Sequence, residues 1–195
     1  MKKKIGLFFG SFDPIHNGHI QIINNGYFSQ FHQIWFIVTP ESPFKKGKIF
    51  ASFYHRFEMV KLSVDGNKNM IASDVECQLS SPYYTANTLS FLKLKYSNYS
   101  FEIIMGSDNY VSLRNRKWYK SDYILNNFRI IVYPRGEKMI KSNSLLTLLP
   151  SELIAISATD IRLSLLDSDN IISKLPLPSA VQEYIKINHL YSTEN

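Results

Sequence analysis

The stretch KIGLFFGSFDPIHNGHI, residues 4–20, decides how the rest of the chain is read. KIGLFF is a short continuous apolar run stopped by Gly10, the pattern of a strand buried on both faces. Turn chemistry follows: Asp13, Pro14 and Gly18 surround His16 and His19, which lie three apart. Ile20, Ile23, Tyr27 and Phe31 then recur at helical spacing. Strand, polar turn and helix make the first unit of an alternation that continues through the chain.

Further apolar runs sit at QIWFIVT (33–39), a weaker one at about 70–76, FEIIM (101–105), FRIIVY (128–133) and LIAI (153–156). Helical faces are marked by Phe53, Phe57, Val60 and Val64, by Leu89, Leu92 and Tyr96, by an entry at ISATDIRLSLL, and by a final helix over about 179–190. Alternating β and α with β-branched strands predicts an open parallel sheet of five to six strands with helices on both faces, an α/β, Rossmann-like arrangement. Residues 136–152 are the least regular part. The polar stretches GSFDPIHNGH, TPESPFKK, GSDN, PRG and SATDIR each follow a strand. In such a sheet those ends share one edge, where ligands bind.

Composition sets bounds. The 195 residues are 45% hydrophobic and 19% charged, an ordinary balance for one well-buried unit. No apolar run reaches membrane length and no signal-peptide pattern opens the sequence, so a soluble cytoplasmic protein is expected. The single cysteine, Cys77, excludes an internal disulfide and is expected to be buried or half-buried near a strand end. The net charge of +6 suits nucleic acid or phosphorylated small molecules equally.

The opening motif excludes more than it admits. Zinc would need a third ligand beside His16 and His19, and His32, His55 and His189 are distant in sequence. Neither phosphate-loop glycine pattern is present, and there is no G-x-S-x-G elbow. What remains is a turn with two satisfied histidines, or an anion site. For the latter, Gly10 would admit a ligand close to the backbone and Pro14 would fix the turn. Gly18-His19 would open a helix with outward N–H groups, and either imidazole could carry a proton near pH 7.

GSFDPIHNGH resembles the [ST]-F-D-P-x-H-x-G-H motif of the nucleotidylyltransferase superfamily, and ISATDIR (156–162) resembles its second signature, I-S-x-T-x-[IV]-R. SPYYTANTL (81–89), IIMGSDNY (103–110), KWY (117–119), VYPRG (132–136) and the ending LPSAVQEYIKINHLY are similar to segments of the bacterial nicotinate-nucleotide adenylyltransferases. The resemblance spans about residues 4–191. It implies one nucleotidylyltransferase domain over 1–195, with a small helical part from about 157. It also implies adenylyl transfer from ATP to nicotinate mononucleotide, giving nicotinate adenine dinucleotide and pyrophosphate in NAD biosynthesis, with Mg²⁺ bound on the ATP phosphates. Neither nucleic acid nor membrane is implied as a partner, and the oligomeric state stays open, a homodimer being one option.

Residue by residue, the resemblance assigns His16, His19, Lys45 and Arg162 to catalysis. Gly10, Ser11, Phe12, Gly18, Gly106, Ser107, Asp108, Ser157 and Thr159 fall to ATP. Tyr84, Thr85, Trp118, Tyr119 and Arg135 fall to nicotinate mononucleotide, with carboxylate recognition largely through backbone N–H groups of the SPYYT and WY segments. No metal ligand is assigned, and Asp13 is read as a turn-stabilising residue in preference to one. Pro43-Phe44-Lys45 departs from the commoner P-H-K, and Lys45 and Lys46 compete for one role. Residues 111–117 are longer and more basic than the usual spacing. Arg135 is open between a substrate phosphate and a surface role. Competing readings are preference for nicotinamide mononucleotide, an adenylyltransferase for another phosphate, and nucleic-acid binding on a retired catalytic fold.

Overall fold

The computed structural model describes residues 2–41, 49–135, 145–150, 156–167 and 169–192. Six parallel strands form one sheet: β1 (Lys3–Gly10), β2 (Gln33–Val38), β3 (Met70–Ser73), β4 (Tyr99–Gly106), β5 (Arg129–Tyr133) and β6 (Leu146–Leu148). Their order is β3-β2-β1-β4-β5-β6. The chain therefore winds outward twice, reversing between β1 and β4, and a crevice opens at their carboxyl ends. Helices α1 (Asn17–Ile23), α2 (Phe53–Val64), α3 (Thr85–Lys95), α4 (Ser107–Arg114), α5 (Ser121–Asn127), α6 (Ala158–Asp167) and α7 (Ser179–Ile187) cover it.

Strand alternation sorts the side chains into two cores. Ile5, Leu7, Trp35, Ile37, Ile103, Ile130 and Val132 face one way and meet Leu89 and Leu92 of α3, Leu113 of α4 and Ile124 of α5. Phe8, Phe36, Val38, Ile104, Ile131 and Tyr133 face the other way, against α1, α2, Ile161 and Leu165 of α6, and Val181 and Ile185 of α7. Helices on both faces, as the alternation predicts, follow from strands apolar on both sides. Among the described residues no helix is long and apolar enough to cross a membrane.

Three expectations are corrected. The sixth strand is Leu146–Leu148, within the stretch read as irregular, because three residues paired to Ile130–Val132 suffice to extend the sheet. Of the expected strand at 153–156, residues 153–155 lie outside the described residues and Ile156 is not in a strand. Polar stretches after β4 hold two helices, α4 and α5, whose buried positions are too few to give a periodic signal. Cys77 is exposed, in a short 3₁₀ turn over Val75–Gln78.

Ile103 sits in the central strand β4 with no exposure. Ile103→Ala should cost about 2–4 kcal/mol through a cavity that this two-sided packing cannot close, read as a lowered midpoint in urea.

Candidate active site

The turn after β1 is built around Phe12 and Asp13. Phe12 takes a left-handed backbone at φ 48, costly for a bulky residue. Its ring goes inward, 3% exposed, edge-on to Phe8 at 5.7 Å and to His19 at 5.1 Å. A Cβ on Gly10 would lie 2.8 Å from that ring. A side chain at Gly10 would therefore meet the Phe12 ring, and both residues line the cleft that opens here.

Asp13 is committed to the protein. Oδ2 accepts from the Phe50 N–H at 2.9 Å; Oδ1 accepts from the Ala51 N–H at 3.1 Å and the Tyr191 hydroxyl at 2.8 Å. Burial and that contact push the Tyr191 hydroxyl far above its ordinary pKa. Arg56, 1% exposed, lies beneath the turn and was not singled out from sequence. Its guanidinium donates to the carbonyls of Ser11 (2.7 Å), Thr39 (2.8 Å), Pro40 (2.8 Å) and Ala51 (3.1 Å).

On this support the two imidazoles stack, centroids 3.7 Å apart and planes 29° apart. His19 Nδ1 accepts the His16 N–H at 3.2 Å, which leaves its proton on Nε2. His16 is the N-cap of α1, which begins at Asn17, one residue before Gly18. It is 6% exposed, with Nδ1 buried and without a hydrogen-bond partner. Burial, then the charge of Arg135, lowers its pKa from 6.5 to about 4. The expectation that either histidine carries charge near neutrality is thus corrected for His16, which is neutral there.

A cleft of about 230 Å³ opens over these rings. Gly10, Ser11, His16 and His19 line one side, Ser157, Thr159 and Arg162 the other, with Asn109, Tyr133 and Arg135 between them. Ser157 Oγ accepts the Thr159 N–H at 3.2 Å at the start of α6. Arg162 lies in the second turn of α6, not the first. Its Nη1 donates to the Asp13 carbonyl at 2.6 Å, its Nη2 to Thr159 Oγ1 at 3.3 Å, and its plane lies 4.6 Å from the Phe50 ring. Its Nε is buried and unpartnered.

At the end of β4, the Ser107 hydroxyl accepts the Arg135 N–H at 2.9 Å and donates to the Arg135 carbonyl at 2.7 Å. Its side chain ties the end of β4 to the segment after β5. Asp108 stands 3.8 Å from Arg135, with Oδ1 unpartnered. A Cβ on Gly106 would lie 2.5 Å from that oxygen. Arg135 thereby belongs to the cleft, a placement the sequence left open, and Asn109 and Tyr133 join it unannounced. Lys45 and Lys46 lie outside the described residues.

Tyr84, Thr85, Trp118 and Tyr119 form a second group that does not line this cleft. Tyr84 and Tyr119 stack, centroids 4.5 Å apart. The Tyr84 N–H donates to the Pro82 carbonyl at 2.8 Å, so it is already spent, a correction to its assignment as a backbone donor for a carboxylate. Thr85 begins α3, where first-turn N–H groups lack intrahelical partners. Trp118 packs on the α3/α5 core and donates its indole N–H to Ser112 Oγ at 3.2 Å.

Residues 7–164 match the cytidylyltransferase-like family. The nicotinate-nucleotide adenylyltransferase of Bacillus subtilis is 33% identical over 196 residues, covering 98% of this chain and all of that one. The chain belongs to the nicotinate-nucleotide adenylyltransferase family. A Flavobacterium johnsoniae protein named "Probable nicotinate-nucleotide adenylyltransferase" is 39% identical, covering 96% of this chain and 98% of its own length. The fold is shared with the Plasmodium falciparum nicotinic acid mononucleotide adenylyltransferase solved with NaAD, at TM-score 0.75, 22% identity and 97% coverage of each chain. Among the described residues, this family member's cleft is lined by two cationic side chains, Arg135 and Arg162, while its buried His16 is neutral near pH 7.

The low pKa of His16 has a stability consequence. Below its ordinary 6.5 the unfolded chain binds a proton that the folded chain refuses until about pH 4, so stability is full above 6.5 and falls as pH falls through that window. Urea unfolding at pH 7 and pH 5 should differ by roughly 2 kcal/mol more in the wild type than in His16→Gln.

Proposed function

We propose that this protein is a cytoplasmic enzyme that transfers the adenylyl group of ATP to nicotinate mononucleotide, releasing pyrophosphate and forming nicotinate adenine dinucleotide in NAD biosynthesis. The observation that carries the reading is the meeting, across one cleft, of the stacked His16–His19 pair with the Ser157–Arg162 helix entry. These segments are about 140 residues apart in the chain. A donor-rich cleft of this kind suits phosphate oxygens.

The chemistry needs no protein nucleophile. The phosphate of nicotinate mononucleotide is mostly dianionic at neutral pH and attacks as it stands. One of its oxygens bonds to the α-phosphorus of ATP as the bond from that phosphorus to the bridging oxygen breaks, and the electron pair leaves with pyrophosphate. The protein's task is to hold two polyanions in line and to oppose the charge that builds on the α-phosphate and the leaving group.

On this reading His19 Nε2–H donates to the α-phosphate. The remaining N–H groups of Arg162, the Ser157 and Thr159 hydroxyls and first-turn amides of α6 receive the β- and γ-phosphates. Arg135 adds charge from the β5 end, and Asp108 accepts ribose hydroxyls. Thr85, Trp118 and Tyr119, with the Tyr84 ring, receive the pyridine end, and Lys45 contacts phosphate.

Among the described residues no group of three or more His, Cys, Asp or Glu side chains could hold a metal ion, and the Asp13 carboxylate is engaged by three donors. That donor set fits a Mg²⁺ ion held chiefly by triphosphate oxygens and water, without a protein cage. Bound there, Mg²⁺ would neutralise phosphate charge.

Pyrophosphate release should require ATP together with nicotinate mononucleotide and should be slower with nicotinamide mononucleotide. Equal or faster turnover of the amide would overturn the substrate assignment, and no release with either would overturn the activity. His19→Ala should lower kcat by roughly 10²-fold, the loss of one donor aimed at developing charge. Turnover near wild type would remove His19 from the mechanism.

A further inference from the structure

The chain's regular part closes on INHLY, residues 187–191, which the chemistry above does not use. Helix α7 ends at Ile187, and the turn beyond it places two non-glycine residues in left-handed backbone, His189 at φ 50 and Tyr191 at φ 65. Such residues cost on the order of 1 kcal/mol each, so surrounding contacts must hold them. The Tyr191 ring packs against the core between α2 and α6, and its hydroxyl reaches Asp13 Oδ1 at 2.8 Å, 178 residues back along the chain.

We propose that Tyr191 is a positioning residue for adenylyl transfer, acting through Asp13 to fix the turn that sets the histidine pair and the carbonyl that orients Arg162. The inference rests on the cleft being the adenylyl-transfer site. Asp13 is where the two halves of that cleft are joined. Its carboxylate ties the turn to Phe50 and Ala51, and its carbonyl receives Arg162 Nη1 at 2.6 Å. Without the hydroxyl, Oδ1 keeps the Ala51 N–H at 3.1 Å and Oδ2 the Phe50 N–H at 2.9 Å, so the carboxylate loses the shortest of its three contacts and its tie to the C-terminal turn. The strained Phe12 precedes it directly, and the Phe12 ring meets His19. A shift of the Asp13 backbone would displace both the carbonyl that holds the guanidinium and the Phe12 ring that meets the imidazole. Packing alone would not give this coupling, because the ring contacts the core whether or not the hydroxyl is present.

Tyr191→Phe tests it, keeping the ring and deleting one atom. In the full chain, kcat should fall about 5–20-fold, as misplaced positioning groups cost, with KM for nicotinate mononucleotide within about twofold. The affinity for a non-hydrolysable ATP analogue, measured by calorimetry, should weaken several-fold. A merely structural role would lower the melting temperature yet leave kcat at wild type well below it, and that result overturns the proposal. In an Asp13→Asn background, Tyr191→Phe should add nothing further; an undiminished extra loss overturns the route through Asp13. Should Asp13→Asn fail to fold, kcat and analogue affinity of the single variant decide. A wild type without turnover sinks the activity reading, and analogue affinity unchanged by Tyr191→Phe then sinks this inference as well. An active wild type matched by Tyr191→Phe sinks this inference alone.

Discussion

A guanidinium buried to 1% exposure beneath the first turn is the constraint on which the rest depends. Removing a charge from water costs several kcal/mol unless hydrogen bonds and an opposite charge replace the lost solvation. Arg56 obtains four carbonyl partners, drawn from the turn after β1, the end of β2 and the segment entering α2. Asp13 supplies the opposing charge, which raises the Arg56 pKa against the larger lowering by burial. Because a planar trans peptide points its C=O and N–H in opposite directions, fixing the Ser11 carbonyl on Arg56 also fixes where the Phe12 N–H points. The backbone of the turn after β1 is thus oriented from below, by a buried side chain outside the lining of the cleft.

That arrangement explains why the site can use a neutral histidine. Burial penalises the imidazolium of His16, and the His19 ring stacked on it rests against Phe8 and Phe12. Among the described residues, the positive charge lining the cleft comes from Arg135 and Arg162. The histidines keep what burial leaves them, direction: His19 offers one N–H whose tautomer is set by the backbone of its neighbour. A fixed dipole needs no reorganisation as charge builds, which is the property an electrostatic catalyst requires.

Much of this was legible in the sequence, for identifiable reasons. β1, β2, β4 and β5 are read from apolar runs because each is buried on both sides, so no alternation has to be detected. The two motifs are local strings, and the sheet's topology brings them together without further information. What stayed hidden depends on distant partners. Arg56 looks like any arginine on a helix until Ser11, Thr39 and Pro40 turn their carbonyls to it. Nothing in GSDN announces that the Ser107 hydroxyl bonds the Arg135 backbone. Nothing beside Gly10 announces the Phe12 ring packed against it, because the inward turn of that ring is a tertiary choice. Strand β6 is three residues long, too short for any period to show.

The two cores on opposite faces of the sheet have one more consequence. The cleft takes its lining from the turn after β1, from α1 and the start of α6, and from Asn109 of α4 and Arg135 beyond β5, whereas Tyr84 and Tyr119 stack beside the starts of α3 and α5. Among the described residues, the buried hydrophobic side chains on the two faces form separate clusters with the strands between them. On the proposed function, aromatic residues outside the cleft would select the base, so substitutions there would change acceptor preference while His16, His19 and Arg162 keep their places.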